Sequence, residues 1–426
     1  MAERYRIETS VFASGERFPF LVCADTGIPL FDPTVFALTE YRTRNRASGT
    51  IEQMLRDLTV LLMFCNAHQI DLHARMLDGR LLDLGELDAL VRMCRLPLSV
   101  IEFESRVDVS ASESNRAVVS LQSYKARSKN KHQEISGESA SVRIRYIQKY
   151  LGWLVDRRVL TLSAKHPARL PLVQAKDIVV SGLIARSPAG RGRNKVGRRK
   201  ALDETAQERL WQIVAVDSPE NPWEGRHARV RNELIVRWFM GLGIRRGELL
   251  GLKIPDLNFR SNEAFIARRA DDPTDPRVNQ PNAKTLDRLL PMSDDLARRT
   301  KAYILQERRK YGKARAHAFL FVANGGAPLS LRGLNKIFDV LRGKHREFEE
   351  LFPHLMRHTT NFNFSKIADE QGMDREKELK ARSHMMGWSE TSNTAATYTQ
   401  RETERKAREA SLQLQNKMVK PINDSQ

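Results

Sequence analysis

The sequence has few cysteines and no long run of apolar residues. Three of its 426 residues are cysteine, at positions 23, 65 and 94, and none belongs to a CxxC pair. An odd number without that spacing argues against a disulfide framework or a zinc ribbon. The longest clean apolar run covers residues 60–65, far below the ~20 residues of a membrane helix. The charged N-terminus also lacks the apolar core of a signal peptide. Together with the few cysteines, this leads us to expect a protein of the reducing cytoplasm.

Acidic residues are scarce relative to basic ones. The chain carries 71 Lys and Arg residues against 52 Asp and Glu residues, which gives a formal net charge of +19. The hydrophobic share of 41% is enough for packed cores, so the chain is not a disordered basic tail. A folded protein with this excess suits a polyanion. Nucleic acid is the first candidate and an anionic membrane surface the second; charge alone neither chooses between them nor separates binding from catalysis.

The spacing of apolar residues predicts a mainly helical chain with short strands. The first 31 residues favour strands and turns, and Asp32 followed by a proline predicts an N-cap and a helix start. The period of apolar residues then becomes helical. Predicted helices cover 51–65, 84–96, 140–159, 201–216, 230–242, 294–311, 331–341 and 355–370. Two short strands, 264–268 and 288–292, flank a polar insert at 271–282.

Two basic segments stand apart from the helices. Residues 186–200 hold seven basic residues and no acidic one, together with three glycines and a proline, which predicts an extended linker between domains. We favour contact with a phosphate backbone over a merely solvated linker, through Arg191, Arg193, Arg198 and Arg199. The polar stretch 110–139 fits a solvated loop and a phosphate-contacting one equally well; its candidates are Lys125, Arg127 and Lys129.

Three further segments bear residues suited to phosphate chemistry. Residues 241–252 place Arg245 and Arg246 among glycines just after a predicted helix, where forked guanidinium donors can reach a phosphate. Residues 352–359 pair a histidine and an arginine three positions apart, and residues 383–398 lead from a Gly-Trp turn to one tyrosine. Each segment alone is ordinary: a surface arginine pair, a capped helix with a buried histidine, and a core tyrosine. Their combination and order are not.

Together these segments resemble the tyrosine recombinase (phage integrase) family. Residues 243–249 match its glycine–apolar–Arg–x–x–Glu–Leu box and make Arg245, rather than Arg246, the first arginine. Residues 354–359 match the His-x-x-Arg-His-Thr box. Gly387-Trp388 matches the third box, and Trp388 is preferred over His384 because it follows the glycine, although its distance to the tyrosine is one residue longer than usual. The resemblance covers roughly residues 200–405 and implies six catalytic residues: Arg245, Lys284, His354, Arg357, Trp388 and Tyr398.

The resemblance implies a fold that is mainly α with a small antiparallel sheet (α+β). A helical core-binding domain and a tyrosine-recombinase catalytic domain would form a C-shaped clamp on DNA. The expected organisation is a strand-rich N-terminal extension, a core-binding domain, a basic linker, a catalytic domain and a C-terminal tail or helix, over 1–40, 41–185, 186–200, 201–405 and 406–426. The implied partners are double-stranded DNA and three further copies of the chain in a homotetramer on two duplexes, with accessory DNA-bending proteins an open addition and no membrane.

The implied activity is site-specific recombination or integration without a metal ion, ATP or any other cofactor, by a cytoplasmic, nucleoid-associated enzyme. Arg245 and Arg357 would clamp the non-bridging oxygens of the scissile phosphate, and Tyr398 would form a 3′-phosphotyrosyl link. His354 would accept or position the tyrosine proton, and Lys284 would protonate the departing 5′ oxygen.

Trp388 would donate an indole N–H to the phosphate and support the site by packing.

Two alternatives remain at this point. One is a DNA relaxase of the type IB topoisomerase or telomere-resolvase kind, and the other is a non-catalytic DNA-binding protein with a degenerate site.

Overall fold

A computed structural model describes residues 4–103, 134–188, 201–282, 285–389 and 410–415. These residues are mainly α-helical with two small antiparallel sheets, which confirms the predicted fold class. By its internal contacts the chain divides into two compact units. Of the described residues, the first unit contains 4–12, 17–103 and 134–188, and the second contains 13–16, 201–282, 285–389 and 410–415. No helix among the described residues is long and apolar enough to cross a membrane.

The first unit combines a β-hairpin with a set of helices. Strands β1 and β2 are antiparallel, with Tyr5 opposite Cys23. The buried side of β2 packs on α2, so the hairpin shares the core of the helices rather than standing apart as an extension. The elements are β1 (Tyr5–Val11), β2 (Arg17–Cys23), α1 (Phe31–Ala37, continued by a π-helical turn, Leu38–Arg42), α2 (Ser48–Ala67), α3 (Leu72–Leu77), α4 (Leu84–Cys94), α5 (Gly137–Thr161) and α6 (Arg169–Arg186).

The apolar stripes of the first unit form its core as the sequence predicts. On α2, Ile51, Met54, Leu55 and Leu58 are fully buried, because their spacing of three and four residues places them on one helix face. Helix α4 begins at Leu84 as predicted, after Asp83 in a reciprocal capping box, and ends at Cys94, two residues earlier than predicted.

The predicted helix start at Asp32 is wrong. Helix α1 already begins at Phe31, and Leu30 takes the N-cap position. Instead of capping the helix, the Asp32 carboxylate pairs with Arg157 and accepts a 2.7 Å hydrogen bond from His73 Nε2. An aspartate followed by a proline was the local signal, but Arg157 and His73, both distant in sequence, take up its carboxylate.

The second unit surrounds a three-stranded antiparallel sheet with helices. The strand order is β3-β4-β5, and Ala264 lies opposite Leu290. The elements are α7 (Glu204–Val214), α8 (Arg226–Leu242), α9 (Arg246–Gly251), β3 (Leu257–Asn258), β4 (Glu263–Ile266), β5 (Arg288–Pro291), α10 (Asp294–Ala302, continued by a π-helical turn, Tyr303–Glu307), α11 (Leu331–Lys344), α12 (Pro353–Glu370) and α13 (Arg375–Met386).

Packing of α8 on α12 sets the frame for the site. The C-terminal half of α8 is buried through Leu234, Ile235, Trp238 and Phe239. The Thr360 hydroxyl group of α12 donates toward the carbonyl oxygens at the end of α8, 3.2 Å from that of Phe239. The end of α8 therefore lies beside the N-terminal half of α12, where the predicted histidine and arginine are found.

Candidate active site

The first arginine segment follows a left-handed turn at the end of α8. Gly243 has φ of +59°, and a Cβ there would lie 2.9 Å from Met386 Cε and 3.1 Å from Thr360 Cγ2. Glycine is therefore required both for the conformation and for the close approach. The turn brings Arg245 to the N-cap position of α9 with its side chain 32% exposed, while Arg246 is exposed.

Glu248 is a buried carboxylate beside Arg245, and sequence reasoning gave it no role. Its side chain is fully buried, and its carboxylate accepts the Arg245 backbone N–H at 2.9 Å. The Arg288 guanidinium donates to it at 2.9 Å, and the Thr285 hydroxyl group donates to its other oxygen. Burial opposes ionisation of Glu248, but the hydrogen bonds and charge of Arg288, with Thr285, outweigh it and hold the pKa of this carboxyl below its ordinary value.

Arg357 links the ends of two helices. It is only 2% exposed. Its Nη1 donates to the Gly243 carbonyl oxygen at 2.6 Å and its Nη2 to the Met386 carbonyl oxygen at 2.8 Å. The guanidinium carbon also lies 5.5 Å from the centre of the Trp388 ring. These contacts bring the first and third segments together around the arginine of the second.

The histidines of the second segment lie at the start of α12. His354 is exposed and His358 is half-buried, with their ring centres 4.4 Å apart. Thr359 is buried, and its hydroxyl group accepts the Leu202 backbone N–H at 3.0 Å. Thr359 therefore has a structural contact, whereas the side chain of His354 is exposed.

The Gly-Trp turn follows directly after α13. Gly387 has φ of +64°, and its carbonyl oxygen accepts the Leu286 backbone N–H at 3.1 Å. Trp388 is 7% exposed and packs with Met386, whereas His384, in the last turn of α13, is exposed. Of the two candidates for the third box, Trp388 is the one whose ring lies over Arg357.

A further buried arginine, also missed from the sequence, holds α13 in place. Arg382 is fully buried and pairs with Glu378. It donates to the Asn361 carbonyl oxygen at 3.0 Å and to Ser365 Oγ at 2.7 Å, both on α12. No local pattern distinguishes Arg382 from the many exposed arginines of a basic chain, because its burial depends on how α13 packs on α12.

The structure thus brings together Arg245, Arg357 and Trp388, with His354 at the surface of the same unit. The other predicted residues lie outside the described part of the chain. They are Lys284, Tyr398, the linker arginines Arg191, Arg193, Arg198 and Arg199, and the loop candidates Lys125, Arg127 and Lys129.

The sequence of this second unit matches a known family. Residues 202–405 match the phage integrase family. This segment, just under half of the chain, is therefore a phage integrase domain. The match confirms the resemblance seen in the sequence and makes the protein a tyrosine-type site-specific recombinase, an enzyme of DNA recombination.

Solved structures of other recombinases are similar to this recombinase at low identity. The Tn1549 transposon integrase in complex with a circular intermediate DNA is 17% identical, with a TM-score of 0.40, over 71% of this chain and 92% of that one. XerH bound to its difH substrate is 16% identical, with a TM-score of 0.38, over 76% and 84%. XerA recombinase is 18% identical, with a TM-score of 0.33, over 70% and 91%. These scores are low, so the assignment rests on the match of residues 202–405. No curated protein matches the sequence.

Proposed function

We propose that this recombinase cuts duplex DNA by attack of Tyr398 on a phosphodiester. The tyrosine oxygen forms a bond to phosphorus, the bond to the 5′ oxygen breaks, and a 3′-phosphotyrosyl link results. No ATP is consumed, because the covalent link preserves the energy of the phosphodiester, and arginines rather than a metal ion stabilise the charge of the phosphate. The observation that carries this proposal is Arg357, which is buried between Gly243 and Met386 in the segment that matches the phage integrase family.

The two arginines act on the charge of the reacting phosphate. Extra negative charge develops on the non-bridging oxygens in the transition state. Because two carbonyl groups and the surrounding core already fix Arg357, it needs little reorganisation at the moment of reaction. Arg245, one-third exposed at the start of α9, supplies the second cation.

Three residues complete the proposed chemistry. His354 accepts or positions the proton of the Tyr398 hydroxyl group. Lys284 donates a proton to the departing 5′ oxygen. Trp388 can donate only its indole N–H, so it serves as a hydrogen-bond donor to the phosphate and as packing for Arg357, rather than in proton transfer.

Recombination follows when a 5′ hydroxyl group from a second duplex attacks the phosphotyrosyl link. Phosphorus then bonds to the new 5′ oxygen and Tyr398 is released, which exchanges strands. Two duplexes require four active sites, so we propose a homotetramer on DNA. Residues 41–185 act as a core-binding domain and 201–405 as the catalytic domain, joined by the basic linker, and the enzyme works at the nucleoid in the cytoplasm. The net charge of +19 supports contact with many backbone phosphates.

A duplex with a nick close to the cleavage point tests the nucleophile. Cleavage releases a short fragment that diffuses away, so rejoining fails and the covalent protein–DNA species accumulates. We expect this species with the natural chain and none with Tyr398→Phe. A covalent species with the Phe variant, or none with the natural chain, contradicts the proposal. A plasmid with two sites then distinguishes recombinant products from simple relaxation.

A further inference from the structure

Arg288 and Glu248 form an ion pair that lies entirely inside the second unit. The side chains are 2% and 0% exposed, and Arg288 Nη2 lies 2.9 Å from Glu248 Oε2. A buried ion pair is a weak source of stability, because removing two charges from water costs about as much as their attraction returns. Stability alone therefore does not explain this ion pair.

Each partner of this pair reaches a different part of the proposed site. Glu248 accepts the backbone N–H of Arg245 at 2.9 Å. Arg288 Nε donates to the carbonyl oxygen of Met385 at 2.8 Å, in the last turn of α13, directly before the Gly-Trp turn. The pair thus connects the first arginine to the turn that carries Trp388.

The Gly387 turn lies directly against the guanidinium group of Arg288. A Cβ at Gly387 would lie 2.5 Å from Arg288 Nη1 and 3.0 Å from its Cζ, closer than such atoms can come. Leu286, two residues before Arg288, donates its backbone N–H to the Gly387 carbonyl oxygen at 3.1 Å. The turn is therefore held by contact and by hydrogen bonds on the same side.

We propose that Arg288 is a positioning residue of this recombinase, which fixes Arg245 and the Gly387–Trp388 turn relative to one another through Glu248. The inference rests on the proposed function of the site. The role requires a planar fork, since separate nitrogens reach the Glu248 carboxylate and the Met385 carbonyl. Lysine supplies the charge without the fork and cannot make both contacts.

The test compares Arg288→Lys with the natural chain in single-turnover cleavage of the nicked duplex. Because a displacement of about 1 Å at a reacting centre costs about 100-fold, we expect cleavage to be slower by about 10–100-fold and the dissociation constant for DNA to stay unchanged. The matched control is Arg231→Lys. Arg231 is also buried, at 6% exposure, and donates to the Val322 carbonyl oxygen at 2.9 Å, away from the site.

A second substrate separates positioning from a general loss of structure. A methylphosphonate at the scissile position carries a methyl group in place of one charged oxygen, so it depends less on exact placement of the arginines. The deficit of Arg288→Lys should shrink on this substrate. The cleavage deficit of Arg357→Ala should also shrink on the methylphosphonate. If it does not, the proposed phosphate clamp is wrong, and the role of Arg288 is not what has failed.

The pair can also be replaced without an uncompensated charge. Glu248→Gln combined with Arg288→Met leaves no buried ion, so the domain should fold yet cleave slowly. Cleavage at the natural rate by this double variant or by Arg288→Lys overturns the inference. The inference also fails if Arg288→Lys and Arg231→Lys lose equal amounts of cleavage rate. It fails as well if Arg288→Lys is slowed equally on the phosphodiester and on the methylphosphonate.

Discussion

At the scale of single residues, Arg357 combines a structural and a proposed chemical role. Two of its nitrogens donate to the carbonyl oxygens of Gly243 and Met386. Both carbonyls lie at helix C-termini, where the helix dipole favours a cation. These hydrogen bonds keep the guanidinium group in place, and they also connect the ends of α8 and α13. Removal of the side chain therefore affects both the proposed chemical role and the structural one.

Replacement of Arg357 by alanine should therefore affect both stability and cleavage. Losing one fixed donor to a developing charge costs about 10²–10³-fold in rate, and each carbonyl left unpaired costs about 1–3 kcal/mol of folding free energy. We expect covalent-complex formation to disappear and the melting temperature to fall, while DNA binding stays close to that of the natural chain, because affinity comes from many backbone contacts.

Arg246→Ala is the control for this prediction. Arg246 is exposed beside Arg245, and its variant should cleave DNA and melt as the natural chain does. An Arg357→Ala variant that binds poorly but cleaves normally once bound would reverse this division of roles.

At the scale of elements, two helices of the second unit end in similar glycines with different surroundings. Gly387, after α13, has φ of +64°, and Gly372, after α12, has φ of +62°. A Cβ at Gly372 would meet nothing within 4 Å, whereas one at Gly387 would collide with Arg288. Comparing alanine at Gly372 with alanine at Gly387 therefore separates the free-energy cost of a left-handed backbone from the cost of close packing.

Alanine at these two positions should give different results. Gly372→Ala should cost only the backbone strain, about 1–2 kcal/mol, and leave cleavage intact. Gly387→Ala should cost more and slow cleavage, because Arg288 and the Trp388 turn must move apart. Melting temperatures and single-turnover rates measured for both variants check this. Similar losses of cleavage in the two variants would show that the collision has no functional effect.

At the scale of the whole molecule, the second unit buries more charged side chains than the first among the described residues. The second unit contains the buried arginines 288, 357 and 382 of the site region. The chain as a whole carries a net charge of +19. The basic linker, residues 186–200, is the densest part of that charge in the sequence, and its contribution can be measured.

Neutralising Arg191, Arg193, Arg198 and Arg199 should reduce the salt dependence of DNA binding. Each phosphate contact contributes about 0.9 to the slope of log K against log salt, so four contacts should lower its magnitude by roughly 3–4. Lysine at the same four positions keeps the charge and should leave the slope unchanged. A slope that is unaltered by neutralisation would show that the linker does not touch phosphate.

The sequence by itself determined the fold class, many of the helices and the resemblance to the phage integrase family. Apolar spacing marks the buried face of α2, and the three motif segments carry the resemblance that the match over residues 202–405 confirms. Such signals are local, because helix periodicity and a motif can be read within a few turns of chain. Asp32 shows the limit, since its partners Arg157 and His73 are distant in sequence.

Only the tertiary structure decided which polar residues are buried and what they hold. Glu248 meets Arg288 forty residues later, and Arg357 meets Met386 twenty-nine residues later. In a chain with 71 basic residues, nothing local distinguishes an arginine inside the core from one in water. Burial of a charge depends on the groups that other elements bring to it, and those groups come together only when the chain has folded.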